Sequence, residues 1–425
     1  MSDAPRHLTP GDAPAGRYAP AIALTISLFF LWGMANNLND ILIAQFRKAF
    51  VLSDFGTSFV QQVFYLGYFL FAIPASMLMS AKGYKAAIVL GLSLYGAGAL
   101  LFYPAALLSA YVLFLLALFI IASGLAFLET SANPLMTELG DPRHATRRVN
   151  WAQAANPLGA LAGIWIGRNF ILSGIEHDDV TLSAMTAAER LAYYRSETLA
   201  VAPPYLAIGI LVLVMAAIAA CLRFPSGETD RSGVIRWHGL RLAFARPRLL
   251  LAAGAQLLYV GAQVGVWSYT IRYAQASVPG LPERVAADAL FASLVAFAAG
   301  RFVGTALMGR IRPATLLVAF AVMAGMLTAT AAFASGWPGL YALVAASFFM
   351  SIQFPTIFAL GIEGLGSLRR AGASLLVMAI IGGAVLTAVM GWLSDATSIA
   401  TAMLVPAAAF ASITLFAIHA RRAQS

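Results

Sequence analysis

Long apolar segments separated by short polar breaks fill almost the whole chain. A helix needs about 20 mainly apolar residues to cross a bilayer, and about twelve segments reach that length. The pattern therefore predicts an all-α polytopic membrane protein. We predict twelve transmembrane helices, at 20–46, 57–81, 86–106, 109–137, 149–174, 202–222, 249–275, 285–310, 313–334, 338–363, 371–393 and 398–419.

The composition agrees with this prediction and leaves little length for a soluble domain. Hydrophobic residues make up 60% of the 425 residues and charged residues only 11%, whereas soluble domains carry about 25% charged residues. The net charge of +9 is spread over the polar breaks, so we expect no nucleic-acid partner. Cys221 is the single cysteine, which excludes an intramolecular disulfide.

The basic residues of the breaks fall mainly on one side of the predicted membrane. Lys82, Lys85, Arg147 and Arg148 belong to this side, together with the arginine-rich break at 223–248. The positive-inside rule makes it the cytoplasmic side. Both termini are then cytoplasmic, and we expect the protein in the bacterial inner (plasma) membrane. The first apolar segment is long and lacks a cleavage site, which predicts an uncleaved helix rather than a signal peptide.

The break at 223–248 separates six predicted helices from six and contains six arginines, as expected of a solvated linker between half-domains. A faint internal repeat places a polar residue and a proline inside both the fourth and the tenth helix, at 131–135 and 351–355. We therefore predict a duplicated transporter that binds substrate at the midplane. The predicted domains are an N-terminal cytoplasmic tail (1–19), a first six-helix half (20–222), a basic cytoplasmic linker (223–248), a second six-helix half (249–420) and a C-terminal cytoplasmic tail (421–425).

Two carboxylates lie inside predicted membrane helices, Asp40 in the first and Glu129 in the fourth. A charge at the bilayer centre costs about 2.5 to 3.5 kcal/mol even on a lenient scale, so each acid marks a functional site by default. A buried carboxylate without a cationic partner favours its neutral form, which is what a proton carrier requires. The two acids therefore suggest proton coupling. The alternative for Glu129 is a protonated structural residue bonded to neighbouring helices.

Asn36, Asn37 and Asp40 are three or four residues apart and share one face of the first helix. Their donors and acceptors suit a polyhydroxylated ligand. Because asparagine is a mediocre helix former, we expect a broken or bent helix here. The alternative is that the cluster caps the outer end of the helix.

Further polar and aromatic side chains occur in the helices of both halves. Pro134 predicts a kink beside Glu129. Glycines at 159, 163 and 167 repeat every four residues, which predicts close helix packing. Arg301, inside the eighth helix, is either a gating or counter-ion residue or an arginine that snorkels to a helix end. The candidates for the substrate cavity are the amides Asn37, Gln153, Asn156, Gln263 and Gln353 and the aromatic residues Trp32 and Trp267.

Motifs for catalysis or metal binding are absent from the sequence. There is no GxxxxGK[ST] phosphate-binding loop, and the five histidines lie in tails, loops or a helix end. No Ser/His/Asp set falls within one membrane face. We therefore expect no enzyme activity, no metal site and no cofactor, with protons as the coupling ion.

Several segments resemble the fucose-galactose-glucose proton symporters, from about residue 20 to the last predicted helix. The longest are 29–40 (FFLWGMANNLND), 128–134 (LETSANP) and 350–358 (MSIQFPTIF). The resemblance implies the major facilitator superfamily fold. It also implies proton-linked roles for Asp40 and Glu129, sugar contacts at Asn37, Asn133, Gln153 and Asn156, and an aromatic and polar surface in the second half that includes Phe354.

Two positions depart from the family pattern. Phe354 stands where fucose-carrying members have a tyrosine, and Arg168 stands where a neutral polar residue is expected. The loss of the tyrosine hydroxyl removes a hydrogen bond to the ligand, so the resemblance implies a hexose or deoxyhexose more firmly than fucose itself.

The residues and the resemblance together predict a proton-coupled sugar symporter that imports L-fucose or a related hexose by alternating access. Its partners would be a small sugar, protons and the lipid bilayer, and we expect a monomer. One alternative is a small-molecule or drug:H+ antiporter of the same fold, which usually has a more apolar cavity. The other is a non-transporting nutrient sensor, which normally carries a long cytoplasmic extension.

Overall fold

The computed structural model describes residues 19–51, 54–138, 142–171, 179–224, 241–281, 283–334 and 336–422. Regular secondary structure in these ranges is entirely helical. The helices are α1 (Ala19–Ala49), α2 (Asp54–Leu107), α3 (Tyr111–Glu138), α4 (Ala145–Gln153), α5 (Ala155–Ile166), α6 (Asp179–Ala184), α7 (Ala187–Leu199), α8 (Ala202–Cys221), α9 (Pro247–Ser277), α10 (Glu283–Leu307), α11 (Pro313–Phe333), α12 (Trp337–Met350), α13 (Gln353–Ile362), α14 (Arg369–Met378), α15 (Gly382–Ala396), α16 (Ile399–Ala402) and α17 (Leu404–Arg422).

Ten helical segments among the described residues are long and apolar enough to cross a membrane. One of them, Phe59–Leu107, has 49 residues and covers the second and third predicted helices. Gly83 interrupts it with φ 80° and ψ 177°, a conformation that glycine adopts without the strain a Cβ would bring. The element α2 is therefore two membrane helices joined at the predicted basic turn.

The fifth predicted helix is formed by α4 and α5, which meet at Ala154. Because α4 carries Arg147, Arg148 and Asn150, this pair is too polar to count among the ten apolar segments. Counting α2 as two helices and adding the α4–α5 pair gives the twelve membrane helices that the sequence predicts.

The first helix differs from its prediction. The sequence predicts a broken or bent helix at the asparagine-rich segment, but α1 is not broken there and runs without interruption from Ala19 to Ala49. The side chain of Asn37 donates to the carbonyl oxygen of Gly33 at 2.9 Å, so it is bonded to the helix and does not compete with it. The tenth helix is interrupted instead, between α12 and α13, and a 3₁₀ turn at Ala379–Ile381 interrupts the eleventh.

Close packing of α1 on α5 follows the predicted glycine repeat. A Cβ atom on Gly159 would lie 1.9 Å from the carbonyl oxygen of Phe30, and one on Gly163 would lie 2.7 Å from that of Met34. On the other side of the contact, a Cβ atom on Gly33 would lie 2.0 Å from the carbonyl oxygen of Asn156. These glycines therefore let two helix backbones touch, as in other membrane helix pairs.

The helices pack mainly within two groups that follow chain order. The helix α2 packs on α3 and α8, whereas α11 packs on α12 and α17, and α9 on α15. One continuous apolar cluster contains residues from both groups. These groups are the two six-helix halves of the fold. Most of the predicted linker lies outside the described residues, so the domain boundaries stay predictions.

The two halves contact each other on the predicted cytoplasmic side, where α14 packs on α2 and α3 and α13 packs on α4. Tyr84 donates its hydroxyl hydrogen to Glu138 at 2.6 Å, and Arg369 forms an ion pair with the same carboxylate at 3.4 Å. Ser76 donates to the carbonyl oxygen of Arg370 at 2.9 Å. Polar bonds between the halves thus close the structure on this side.

Candidate functional site

Glu129 lies deep inside the first half, on α3. Its side chain is 3% exposed, and neither carboxylate oxygen has a hydrogen-bond partner among the described residues. A cavity with about 10 Å³ accessible to water adjoins it, close to the minimum for one water molecule. The cavity is otherwise lined by Leu28, Phe29, Trp32, Leu125, Leu128 and Ala132. Such apolar surroundings favour the neutral form of the carboxyl group.

A chain of hydrogen bonds, which we call the amide relay, leads from the backbone of Glu129 to the second half. Asn133 donates to the carbonyl oxygen of Glu129 at 3.2 Å, and Gln153 donates to the side-chain oxygen of Asn133 at 2.6 Å. Arg301 of α10 then donates from Nη1 to Oε1 of Gln153 at 3.1 Å. The relay therefore joins α3, α4 and α10 across the interface between the halves.

Arg301 ends this relay as a fully buried cation. Its side chain is 2% exposed, which contradicts the alternative of a snorkelling arginine. The guanidinium carbon lies 5.2 Å from the centre of the Phe297 ring, within cation–π range. Its Nε atom has no hydrogen-bond partner among the described residues. The amide of Gln153 and the ring of Phe297 thus stand where a carboxylate partner is usual.

The other two candidate amides of the first half are bonded to backbone carbonyl groups. Asn156 donates to the carbonyl oxygen of Phe29 at 3.3 Å, and Asn37 bonds within its own helix. Both side chains are only partly buried. Asp40 lies in α1 one turn after Asn37, but its side chain is outside the described part of the chain, as is that of Arg168.

Aromatic side chains from both halves meet beside Glu129. The ring centres of Trp32 on α1 and Phe354 on α13 are 5.5 Å apart. Tyr259 lies 6.3 Å behind Phe354, and its hydroxyl group donates to the carbonyl oxygen of Met350 at 2.9 Å. The second half therefore presents an apolar aromatic surface here.

The remaining candidates of the second half lie farther from the relay. Trp267 donates to Ser347 at 3.2 Å, and its ring is 5.0 Å from that of Phe297, which connects it to Arg301. Gln353 is fully buried at the start of α13 and donates to the carbonyl oxygen of Phe349 at the end of α12. Gln263 is half-buried on α9, one turn before Trp267, and no described contact brings it to the relay.

The structure adds Thr356 and Phe297 to the set that sequence reasoning identified. Thr356 accepts a hydrogen bond from Asn150 across the two halves at 3.2 Å, and Phe297 contacts Arg301. In the sequence, the signal for Thr356 was its position three residues after Gln353, which places both on one helix face. Phe297 lies four residues before Arg301 on α10, one turn away.

The family model "Major Facilitator Superfamily" matches residues 22–375. The L-fucose-proton symporter of Escherichia coli is 45% identical over 415 residues, covering 96% of this chain and 95% of its own. The glucose/galactose transporter of Brucella abortus is 35% identical over 403 residues, covering 94% of each chain.

Solved structures give the same result. A crystal structure of the E. coli fucose:proton symporter FucP is similar with a TM-score of 0.87 at 44% identity, covering 95% of this chain and 99% of that one. FucP in the outward conformation is similar with a TM-score of 0.86, also at 44% identity and with the same coverage of both chains. The proton:xylose symporter XylE, at 14% identity, a TM-score of 0.73 and coverage of 95% of this chain and 96% of its own, shares the fold.

Proposed function

The chain belongs to the major facilitator superfamily, and from this premise we propose that it imports L-fucose or a related hexose together with protons. Its relatives are transporters, and it is accordingly a transporter and not an enzyme. The observation that carries the proposal is the unpartnered carboxyl group of Glu129 beside a relay of amides. In this proposal, a proton carrier inside the first half lies next to a sugar-binding surface at the interface between the halves.

Glu129 carries the coupled proton in this proposal. Its apolar surroundings make the charged form costly, so the carboxyl group is neutral when the halves close around it. Asp40 is the second proton-linked acid and exchanges protons with the outside. Closure is then favourable when both acids are protonated, and unfavourable when the site is empty and charged.

Sugar hydroxyl groups bind the amides of the first half, namely Asn37, Asn133, Gln153 and Asn156. An amide offers both donors and an acceptor, which suits a ligand that carries several hydroxyl groups. Gln353, Gln263 and Trp267 complete the site from the second half. Trp32 and Phe354 stack against the apolar side of the sugar ring.

Arg301 is the gating residue of the site. It binds the amide oxygen of Gln153 from the opposite half, so sugar and arginine compete for the same acceptor. When sugar occupies Gln153, the bond between the halves is lost and they are free to rock apart. A single proton crossing 100 mV supplies about 2.3 kcal/mol, and each tenfold gradient costs about 1.4 kcal/mol. One-to-one coupling therefore sustains a sugar gradient of roughly fiftyfold.

The protein works as a monomer in the bacterial inner membrane, with both termini and the basic breaks in the cytoplasm. The bonds from Arg369 to Glu138 and from Ser76 to the carbonyl oxygen of Arg370 support a conformation closed on that side. Sugar and protons enter from the outside, and separation of the halves on the cytoplasmic side releases them inward.

Counterflow in proteoliposomes tests the proposal. Vesicles loaded with unlabelled L-fucose, L-galactose, D-galactose, D-glucose or a drug-like cation are diluted into labelled sugar at pH 6 and pH 8. We expect at least one hexose or deoxyhexose to drive labelled uptake, with a faster rate at pH 6. Counterflow by no sugar, or equal rates at both pH values for every sugar, would contradict it.

A further inference from the structure

A second polar pair crosses between the halves one helical turn below the amide relay. Asn150 on α4 donates to the hydroxyl oxygen of Thr356 on α13 at 3.2 Å. Both side chains are 0% exposed. Asn150 precedes Gln153 by three residues and Thr356 follows Gln353 by three, so both steps are one turn toward the same membrane face.

The position of this pair places it between the proposed sugar site and the cytoplasm. At a rise of about 1.5 Å per residue, Asn150 lies about 4.5 Å from the level of Gln153. The helix α13 ends at Ile362, on the predicted cytoplasmic side, about 9 Å beyond Thr356 by the same rise. Sugar that leaves the relay for the cytoplasm must therefore pass this level.

Two oxygen atoms near the pair have no partner. The amide oxygens Oδ1 of Asn150 and Oε1 of Gln353 are buried and accept no hydrogen bond from the described residues. Buried acceptors without a donor are rare because each has lost its water. A sugar hydroxyl group is a donor of the right kind for both.

In the closed structure the side chains of Asn150 and Thr356 bond the two halves to each other. When the halves separate on the cytoplasmic side, the same side chains lie along the passage. Rocking of the halves separates α4 from α13, which breaks the bond between Asn150 and Thr356. Three oxygen acceptors then face the passage. Oδ1 of Asn150 and Oε1 of Gln353 have no donor among the described residues. Oγ1 of Thr356 loses its donor while it still donates to the carbonyl oxygen of Ile352. We propose that Asn150, Thr356 and Gln353 form a second sugar subsite, which receives the sugar from the relay on its way to the cytoplasm. This inference rests on the proposed function.

Kinetics measured from each side of the membrane test the subsite. Thr356→Val keeps the side-chain shape and removes the hydroxyl group. We expect the KM for sugar on the cytoplasmic side, measured in inside-out vesicles, to rise about fivefold, the fold-change that corresponds to about 1 kcal/mol for one hydrogen bond. The KM on the outer side, measured in right-side-out vesicles, should stay within about twofold.

Thr328→Val is the matched control, because Thr328 is also 0% exposed and donates only within its own helix, to Ala324 and Gly325. It should alter neither KM. Asn150→Ala is the second variant, for use if Thr356→Val does not fold, and it should raise the cytoplasmic KM at least as much.

Two results would overturn the subsite. An equal rise of both KM values would mean that the variants damage the midplane site. A higher maximal rate with an unchanged cytoplasmic KM would mean that the pair only holds the halves together. In either case proton-coupled transport by the wild-type protein would stand, whereas its absence would refute the proposed function itself.

Discussion

The two faces of the candidate site differ in chemistry. The first half contributes a carboxyl group and a row of amides, from Glu129 through Asn133 to Gln153. The second half contributes aromatic rings, with Phe354 at the front, and Arg301, a buried cation. In the proposed function, the first half takes up the proton and makes most contacts to sugar hydroxyl groups, whereas the second half mainly recognises the shape of the sugar. When the halves rock, these two surfaces move apart or come together.

The faces meet at the bond between Arg301 and Gln153. Arg301 of the second half donates to Oε1 of Gln153 in the first half. In the proposed function, this bond is lost when the halves separate and also when sugar binds to the same oxygen. In the proposed function, the coupling of sugar binding to conformation depends on the acid and amides of the first half, the polar face. The aromatic rings of the second half, the aromatic face, determine which sugar fits. Four sets of variants separate these contributions, from the largest expected effect to the smallest.

Removal of either titratable carboxyl group of the polar face should abolish proton-driven accumulation of sugar. In Glu129→Gln and in Asp40→Asn, accumulation of sugar should fall from roughly fiftyfold to about the external concentration, because no proton is carried. Counterflow should persist, since the amides remain. Labelled-sugar uptake into energised vesicles measures the first and counterflow the second. Undiminished uphill uptake in both variants would exclude the coupling role.

Loss of the amide that joins the faces should weaken sugar binding strongly. Gln153→Ala removes a sugar contact and leaves the guanidinium group of Arg301 without its acceptor. In the proposed function the bond from sugar to this amide is a neutral hydrogen bond worth about 0.5 to 1.5 kcal/mol, so the dissociation constant should rise by up to about tenfold. Titration calorimetry measures it, with Asn169→Ala as control because this exposed amide bonds only to its own helix. A change below twofold would remove Gln153 from the site.

A change on the aromatic face should alter preference more than affinity. Phe354→Tyr adds a hydroxyl group next to Trp32, and one new hydrogen bond shifts the ratio of KM values for L-fucose and D-galactose about fivefold. Phe354→Leu, which stays apolar, should raise both KM values together. Equal ratios in all three proteins would mean that Phe354 does not discriminate between sugars.

Loss of the ion pair between Arg369 and Glu138, on the predicted cytoplasmic side, should have the smallest effect on transport. Arg369 and Glu138 are 28% and 22% exposed in their side chains, and exposed pairs are worth about 0.2 to 1 kcal/mol. Arg369→Gln should therefore change the transport rate by no more than about fivefold and leave the proton dependence intact. Loss of proton dependence in this variant would mean that the ion pair of Arg369 and Glu138, and not the polar face, couples sugar to protons.

Sequence reasoning found the membrane helices and most of the polar face, because an acid or amide in an apolar segment is conspicuous. It missed the continuity of α1, since asparagine propensity says nothing of the bond from Asn37 to Gly33 or of packing on α5. It left the role of Arg301 open because its partner, Gln153, lies 148 residues away and belongs to the other half. Thr356 has an ordinary residue type, and only its contact with Asn150 gives it a role.

In the proposed function, sugar and protons move together, and Glu129 carries the coupled proton. In de-energised vesicles, addition of L-fucose or the preferred hexose should make the weakly buffered outer medium more alkaline, as followed with a pH electrode. The Glu129→Gln variant should give no pH change while it still performs counterflow. Sugar entry without a pH change in the wild-type protein, or the same change in Glu129→Gln, would contradict the account.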